Sequence, residues 1–243
     1  MKIFKLLRNK IYSAMFITSF LSIIINPSYL IRSYLYKNIK DLAKQFKGRV
    51  LDFGCGDKPY EMLFNQAEEY VGVDIKLPSD VRMKNKADYL YDGMTLPFEN
   101  STFDSVVSFE VFEHVFNINQ MMSEIYRILK NEGTVLISIP FSYPEHEIPY
   151  DYARYTQFGI SDILKKNNFQ VVKIVKTTTH IIVIFQLLIN YINSIKLFNN
   201  KIFKIIIQLI VIFPINIFAL ILNFILPKKY GIYCNLIVLA VKN

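Results

Sequence analysis

Through the middle of the chain, short apolar runs alternate with stretches whose apolar positions recur at helical spacing. Val50–Phe53, Glu69–Ile75, 87–91, 104–109, Thr134–Pro140, Phe169–Lys176 and Tyr233–Val241 read as strands. Tyr29–Lys47, ended by Gly48, Asn117–Lys130 and residues 160–168 read as helices. In the second of these, Met121, Ile125, Ile128 and Leu129 share one face. Strands alternating with helices predict an α/β fold with a mostly parallel, doubly wound sheet. Such sheets bind their ligands at the carboxyl ends of the strands.

Two regions depart from that pattern. Ile11–Ile31 carries no charge and follows Lys2, Lys5, Arg8 and Lys10. Thr177–Ile195 and Ile205–Pro227 are also uncharged, and the second is long enough to cross a bilayer. Strands before and after that insertion should belong to one sheet, so any crossings must be even in number. Two crossings would leave Lys196, Lys201 and Lys204 on the far side, against the positive-inside bias. A helical hairpin lying in the cytoplasmic leaflet fits better; a cap on the domain or a dimer interface is the alternative. The expected division is an apolar, interfacial helical segment at 1–34, a ligand-binding domain at 35–176, the apolar hairpin at 177–229, and a last strand at 230–243.

Composition sharpens this picture in two ways. Hydrophobic residues make up 52% of the chain and the mean hydropathy is +0.27, more than an ordinary soluble core requires. The net charge is +8, and basic residues flank the apolar stretches, which points to an anionic membrane surface and away from nucleic acid. General abundance of Ile, Lys and Asn is the plainer explanation. Two cysteines provide no disulfide framework. His114, His146 and His180 are scattered without ligand-type spacing, so no metal is expected.

Candidate chemistry begins at Val50–Tyr60. A buried strand runs into Gly54-Cys55-Gly56, whose glycines permit a sharp turn, and Pro59 suits the first turn of a following helix. The next strand ends in Asp74, 18 residues beyond Gly56, near the spacing at which a Rossmann-type second strand presents an acid to a ribose.

Leu51-Asp52-x-Gly-Cys-Gly-x-x-Pro59 resembles the first motif of the class I S-adenosylmethionine-dependent methyltransferases, in their type 11 branch. Val-Gly-Val-Asp74 is similar to the second motif, Asp92-Gly-Met-Thr-Leu96-Pro97-Phe98 to a third, and Phe103–Ser108 to the fourth strand. The resemblance covers about residues 35–176 and the last strand. It implies a Rossmann-like, seven-stranded sheet with helices on both faces, the last strand antiparallel between the fifth and sixth. It implies S-adenosyl-L-methionine as cofactor. Asp52, Gly54, Cys55 and Gly56 would meet its methionine end, Asp74 and Ile75 the ribose, and Asp92 and Gly93 the adenine. Phe109 and Glu110 would lie beside the sulfonium. Asp57 stands where the family often has a third glycine. His114 resembles a family histidine that supports its loop. A cytoplasmic cofactor, and the lack of an Ala-x-Ala-like cleavage site, argue against reading the N-terminus as an export signal.

The loop Pro140–Thr156 follows the fifth strand and mixes polar residues with tyrosines, a composition suited to an acceptor. His146 and Asp151 are the candidate catalytic groups, His146 as a base near neutral pH. Arg154, Tyr155 and Tyr143 are the candidates for holding the acceptor. Alternatively, Asp151 and Arg154 pair and lock the loop. The expected activity is methyl transfer at the cytoplasmic membrane face to a hydroxyl of a lipid-linked glycan or polysaccharide precursor. Methylation of an isoprenoid quinone or other lipid, or a cofactor-binding scaffold without turnover, are the competing expectations. Oligomeric state is not legible.

Overall fold

The computed structural model describes residues 15–76, 86–195 and 200–243. In chain order the elements are α1 (Phe20–Ile25), α2 (Tyr29–Ala43), β1 (Gly48–Phe53), β2 (Ala67–Ile75), β3 (Tyr89–Tyr91), β4 (Phe103–Phe109), α3 (Ile118–Ile128), β5 (Leu129–Pro140), α4 (Gln157–Lys166), β6 (Phe169–Lys176), α5 (His180–Ser194), α6 (Lys201–Ile207), α7 (Phe213–Ile225) and β7 (Asn235–Lys242). They form two units. One holds 40–141, 145–175 and 236–243; the other holds the described residues up to Ile39, 142–144 and 176–235. The expected boundaries are corrected accordingly. The N-terminal segment and the apolar insertion are not separate pieces but parts of one helical unit.

The seven strands lie in the order β3-β2-β1-β4-β5-β7-β6, with β7 the antiparallel member between β5 and β6. β1 pairs in parallel with β2 on one side, Asp52 opposite Gly72, and with β4 on the other, Asp52 opposite Val107. Val50, Leu51, Asp52 and Phe53 are all buried, as expected of a central parallel strand covered on both faces. α3 buries Met121, Met122, Ile125 and Ile128, and the Asn117 side chain caps it by accepting the Gln120 N–H at 3.3 Å. α4 begins with the Thr156 hydroxyl accepting the Gly159 N–H at 3.2 Å, and buries Ile160 and Leu164.

The helix expected after the glycine turn is absent. Between β1 and β2 there is a single 3₁₀ turn, Glu61–Leu63. Only 13 residues separate Phe53 from Ala67, and aromatic packing of Tyr60 and Phe64 on Phe109 takes the place of helical cover. The fifth strand also begins earlier than Gly133, at Leu129. The charged connection Lys76–Lys86 lies largely outside the described residues, as do the four basic residues before Ile11.

In the helical unit, the described part of Ile11–Ile31, residues 15–31, is not one span. Ser19 caps α1 through a reciprocal pair with Ser22, and Asn26-Pro27 ends that helix before α2 starts. The core here joins Leu30 of α2 to Ile182 and Ile189 of α5, Ile212, and Ala219 of α7. Phe203–Ile225 runs as 23 helical residues, and its most apolar 18-residue window has a mean hydropathy of 2.8 with 17% of its residues buried. Its inward stripe is Ile212, Asn216, Ala219 and Asn223. Both asparagine side-chain N–H groups find an acceptor there. Asn216 donates to the Ile23 carbonyl at 3.1 Å, and Asn223 donates to the Tyr34 hydroxyl at 2.8 Å while accepting from Thr179. The outward positions include Ile210, Phe218, Ile221, Phe224 and Ile225. This helix buries two asparagines on its inward stripe and turns large apolar side chains outward.

Candidate active site

The turn after β1 is built by backbone bonds to β2. The N–H groups of Gly54 and Cys55 donate to the Val73 carbonyl at 2.9 and 3.2 Å. Gly56 donates to Asp74 Oδ2 at 3.2 Å, while Asp74 Oδ1 accepts the Ile75 N–H at 2.8 Å. Each carboxylate oxygen has two lone pairs, so Asp74 retains acceptor capacity. Gly54 and Gly56 both have positive φ, +71° and +50°. Their surroundings differ. A Cβ on Gly54 would lie 2.5 Å from the Val111 methyls, whereas a Cβ on Gly56 would enter open space. That open cradle beside Asp74 is what a ribose-bearing ligand requires, so these residues fit the expected cofactor.

Asp52 is buried, and the Tyr70 hydroxyl donates to it at 2.8 Å. Burial pushes its carboxyl up to about 7, partly offset by the Tyr70 bond and nearby Lys58. Cys55 is buried too, and desolvation raises its thiol well above the ordinary value, so it is a packing residue of the turn. Lys58 and Asp88 were missed by sequence reasoning. Lys58 is buried in a left-handed conformation and pairs with Asp88, which also accepts the Gly72 N–H at 2.7 Å. An isolated lysine and an isolated aspartate 30 residues apart carry no sequence signal that would find them.

Asp92 heads an Asx turn. Its Oδ1 accepts the N–H groups of Met94 and Thr95 at 2.8 and 2.9 Å, which holds its carboxyl below the usual range. It nevertheless lines a cavity of about 520 Å³ together with Ile75, Gly93, His114, Tyr150 and Tyr152. That volume suits a small-molecule ligand. Phe109 is held edge-on against Tyr60, with ring centroids 5.1 Å apart. Glu110 has φ +59°; its N–H donates to Ser138, and its carboxylate accepts the Ser138 hydroxyl at 2.7 Å. The site thus brings the end of β4 next to β5.

The acceptor loop needs more correction. Asp151 is 3% exposed at its side chain and is gripped bidentately by Arg154, whose Nη2 lies 2.7 Å from Oδ2. The Arg154 guanidinium holds the Asp151 carboxyl at about 2. The pair locks the loop, so neither a proton-accepting Asp151 nor an uncommitted Arg154 clamp is present. His146 is also engaged. Nδ1 faces Asp151 Oδ2 at 3.2 Å, and Nε2 lies 3.2 Å from His114 Nε2. Histidines 32 residues apart in sequence therefore meet, which corrects the expectation that they are scattered. Tyr155 is partly buried, and desolvation raises its hydroxyl pKa. Tyr143 falls in the helical unit, packed on Ile31, Val183 and Cys234.

Comparison with known proteins agrees with this geometry. Residues 51–137 match the family described as a methyltransferase domain. A probable S-adenosylmethionine-dependent methyltransferase of Mycolicibacterium smegmatis is 31% identical over 105 residues, 41% of this chain and 41% of that protein. An uncharacterized protein of Methanocaldococcus jannaschii is 33% identical over 112 residues, 43% of this chain and 48% of the relative. This chain spans about half the length of the curated relatives it matches. Among solved structures, an S-adenosylmethionine-dependent methyltransferase from Mesorhizobium loti superposes with a TM-score of 0.54 at 14% identity, covering 88% of this chain and 100% of the other. With its sheet order, its glycine turn closed by Asp74 and its domain match in agreement, residues 51–137 of this chain form a methyltransferase domain similar to those of S-adenosylmethionine-dependent methyltransferases.

Proposed function

We propose that this protein transfers a methyl group to a hydroxyl of an amphiphilic acceptor, a lipid-linked glycan or related polysaccharide precursor, at the cytoplasmic face of a membrane. The observation that carries the acceptor class is the inverted helix Phe203–Ile225. Phe224 is 88% exposed and Ile210 69%, while Asn216 and Asn223 are buried. Exposing the apolar face of a helix to water is unfavourable at roughly 25 cal/mol per Å², and exposing it to lipid is not. Lys228 and Lys229 directly follow this helix, suited to anionic headgroups. At 15 residues, α5 is too short to span a bilayer, which favours a hairpin lying in one leaflet.

S-adenosylmethionine supplies a methyl group already activated as an electrophile on sulfonium. The protein's part is then to position, and to exclude water. Asp74 offers a carboxylate to ribose hydroxyls, Gly56 leaves the cradle open, and Ile75 with Gly93 forms an apolar wall. The locked Asp151–Arg154 loop holds Tyr150 and Tyr152 at the same cavity.

The test is transfer of tritium from methyl-labelled S-adenosylmethionine to membranes incubated with the full chain. Label in a glycolipid fraction supports the proposal. Label in a quinone fraction moves the acceptor to a lipid ring. Tight cofactor binding with label in neither supports a scaffold without turnover.

A further inference from the structure

Three donor atoms converge beside the cavity. His114 Nε2 and His146 Nε2 are 3.2 Å apart, and each lies 3.6 Å from the same oxygen, Oε1, of Glu113. A point equidistant from all three lies about 2.0 Å from each, the length of a metal–imidazole or metal–carboxylate bond.

The protons make the arrangement harder to explain without a cation. His114 Nδ1 lies 2.8 Å from the Tyr150 carbonyl, which only accepts, so that ring carries its proton on Nδ1. His146 Nδ1 faces the Asp151 carboxylate at 3.2 Å, outside hydrogen-bond geometry, and a neutral His146 with its proton on Nδ1 is the tautomer that a ligating Nε2 requires. Both Nε2 atoms then present lone pairs to one another and to a carboxylate. Glu113 is fully buried, and among the described residues neither of its oxygens accepts a hydrogen bond. A buried carboxylate that accepts no hydrogen bond is costly. Arg154 is committed to Asp151. An outer carbonyl on one histidine and an outer carboxylate on the other are how ligating imidazoles are held.

We infer that Glu113, His114 and His146 form a site for a divalent first-row metal ion, with Asp151 and the Tyr150 carbonyl as its outer support. Two imidazoles and one carboxylate leave coordination positions free, and His114 lines the cavity that Asp92 and Gly93 also line. The ion's role rests on the hydroxyl acceptor proposed above. An acceptor oxygen bound to the ion loses its proton to solvent water more readily. That oxygen then forms the new bond to the methyl carbon as the carbon–sulfur bond breaks, its electron pair remaining on sulfur.

The full chain, untagged and stripped with chelator, is titrated with Co²⁺ and followed by its visible absorption. One equivalent should bind with the spectrum of a mixed nitrogen–oxygen site. His146→Ala and Glu113→Gln should abolish that spectrum, and Asp151→Asn should weaken binding 10- to 100-fold. Calorimetric binding of S-adenosylmethionine within twofold of the parent protein shows that the variants are folded. Failure of Co²⁺, Mn²⁺ and Zn²⁺ to bind stoichiometrically, or unchanged binding by His146→Ala, overturns the site and leaves a shared proton between the histidines. Equal methyl transfer by stripped and reloaded protein overturns the ion's role alone. Absence of transfer by metal-loaded protein refutes the proposed acceptor without touching the site.

Discussion

The backbone N–H of Gly56 donates to the side chain of Asp74 at 3.2 Å, so the acid ending β2 closes the turn that ends β1. Two motifs separated by 18 residues thereby become one wall of a pocket. Asp74→Ala should weaken S-adenosylmethionine binding about 10- to 150-fold, the equivalent of roughly 1.5–3 kcal/mol for hydrogen bonds to a charged acceptor. Isothermal titration calorimetry measures it, and an unchanged affinity removes Asp74 from the site.

The two glycines of that turn should respond differently to alanine. At Gly54 the added methyl meets Val111 at 2.5 Å on a left-handed backbone, so the cost falls on folding. At Gly56 the methyl meets nothing, and only about 1–2 kcal/mol of backbone strain opposes folding. Gly56→Ala should therefore fold and lose cofactor affinity, while Gly54→Ala loses thermal stability first. Thermal melts with and without cofactor separate the two.

Asp52 sets a pH dependence. Its folded-state pKa of about 7 lies above the ordinary 3.8, so the folded protein holds a proton that the unfolded chain releases. Stability from this group is full below the unfolded value and is lost as pH rises toward 7. The slope is at most about 1.4 kcal/mol per pH unit. Urea unfolding of the cofactor-free protein between pH 5 and 8 should show this decline, and Asp52→Asn should flatten it. A decline of equal steepness in Asp52→Asn assigns it to other groups.

Neighbouring positions on α7 test its inverted face. Asn223→Leu strands the Tyr34 and Thr179 hydroxyls and should cost about 1–3 kcal/mol in detergent solution. Phe224→Lys should leave that stability within about 0.5 kcal/mol, since Phe224 is 88% exposed, but should weaken co-flotation with anionic vesicles. Unchanged flotation would refute lipid contact at this face.

Where local physics decides, the sequence alone was sufficient. The central parallel strands are buried on both faces and read as apolar runs, and the glycine turn is confined to residues that tolerate positive φ. The sheet and the Gly56–Asp74 wall could therefore be read from residues close in the chain. The helix predicted at Pro59 failed because aromatic packing of Tyr60 and Phe64, a tertiary effect, replaced it. Asn216 and Asn223 sit in an otherwise apolar run, and only their partners at Ile23 and Tyr34, nearly 200 residues away, give them an inward face. Asp151 and Arg154 were legible as a pair because they sit three residues apart. The approach of His114 to His146 was not, because nothing in either residue's neighbours encodes a contact made by folding one loop onto another. Periodicity and turn chemistry determine which elements form. Only the packed chain decides which lone pairs face one another.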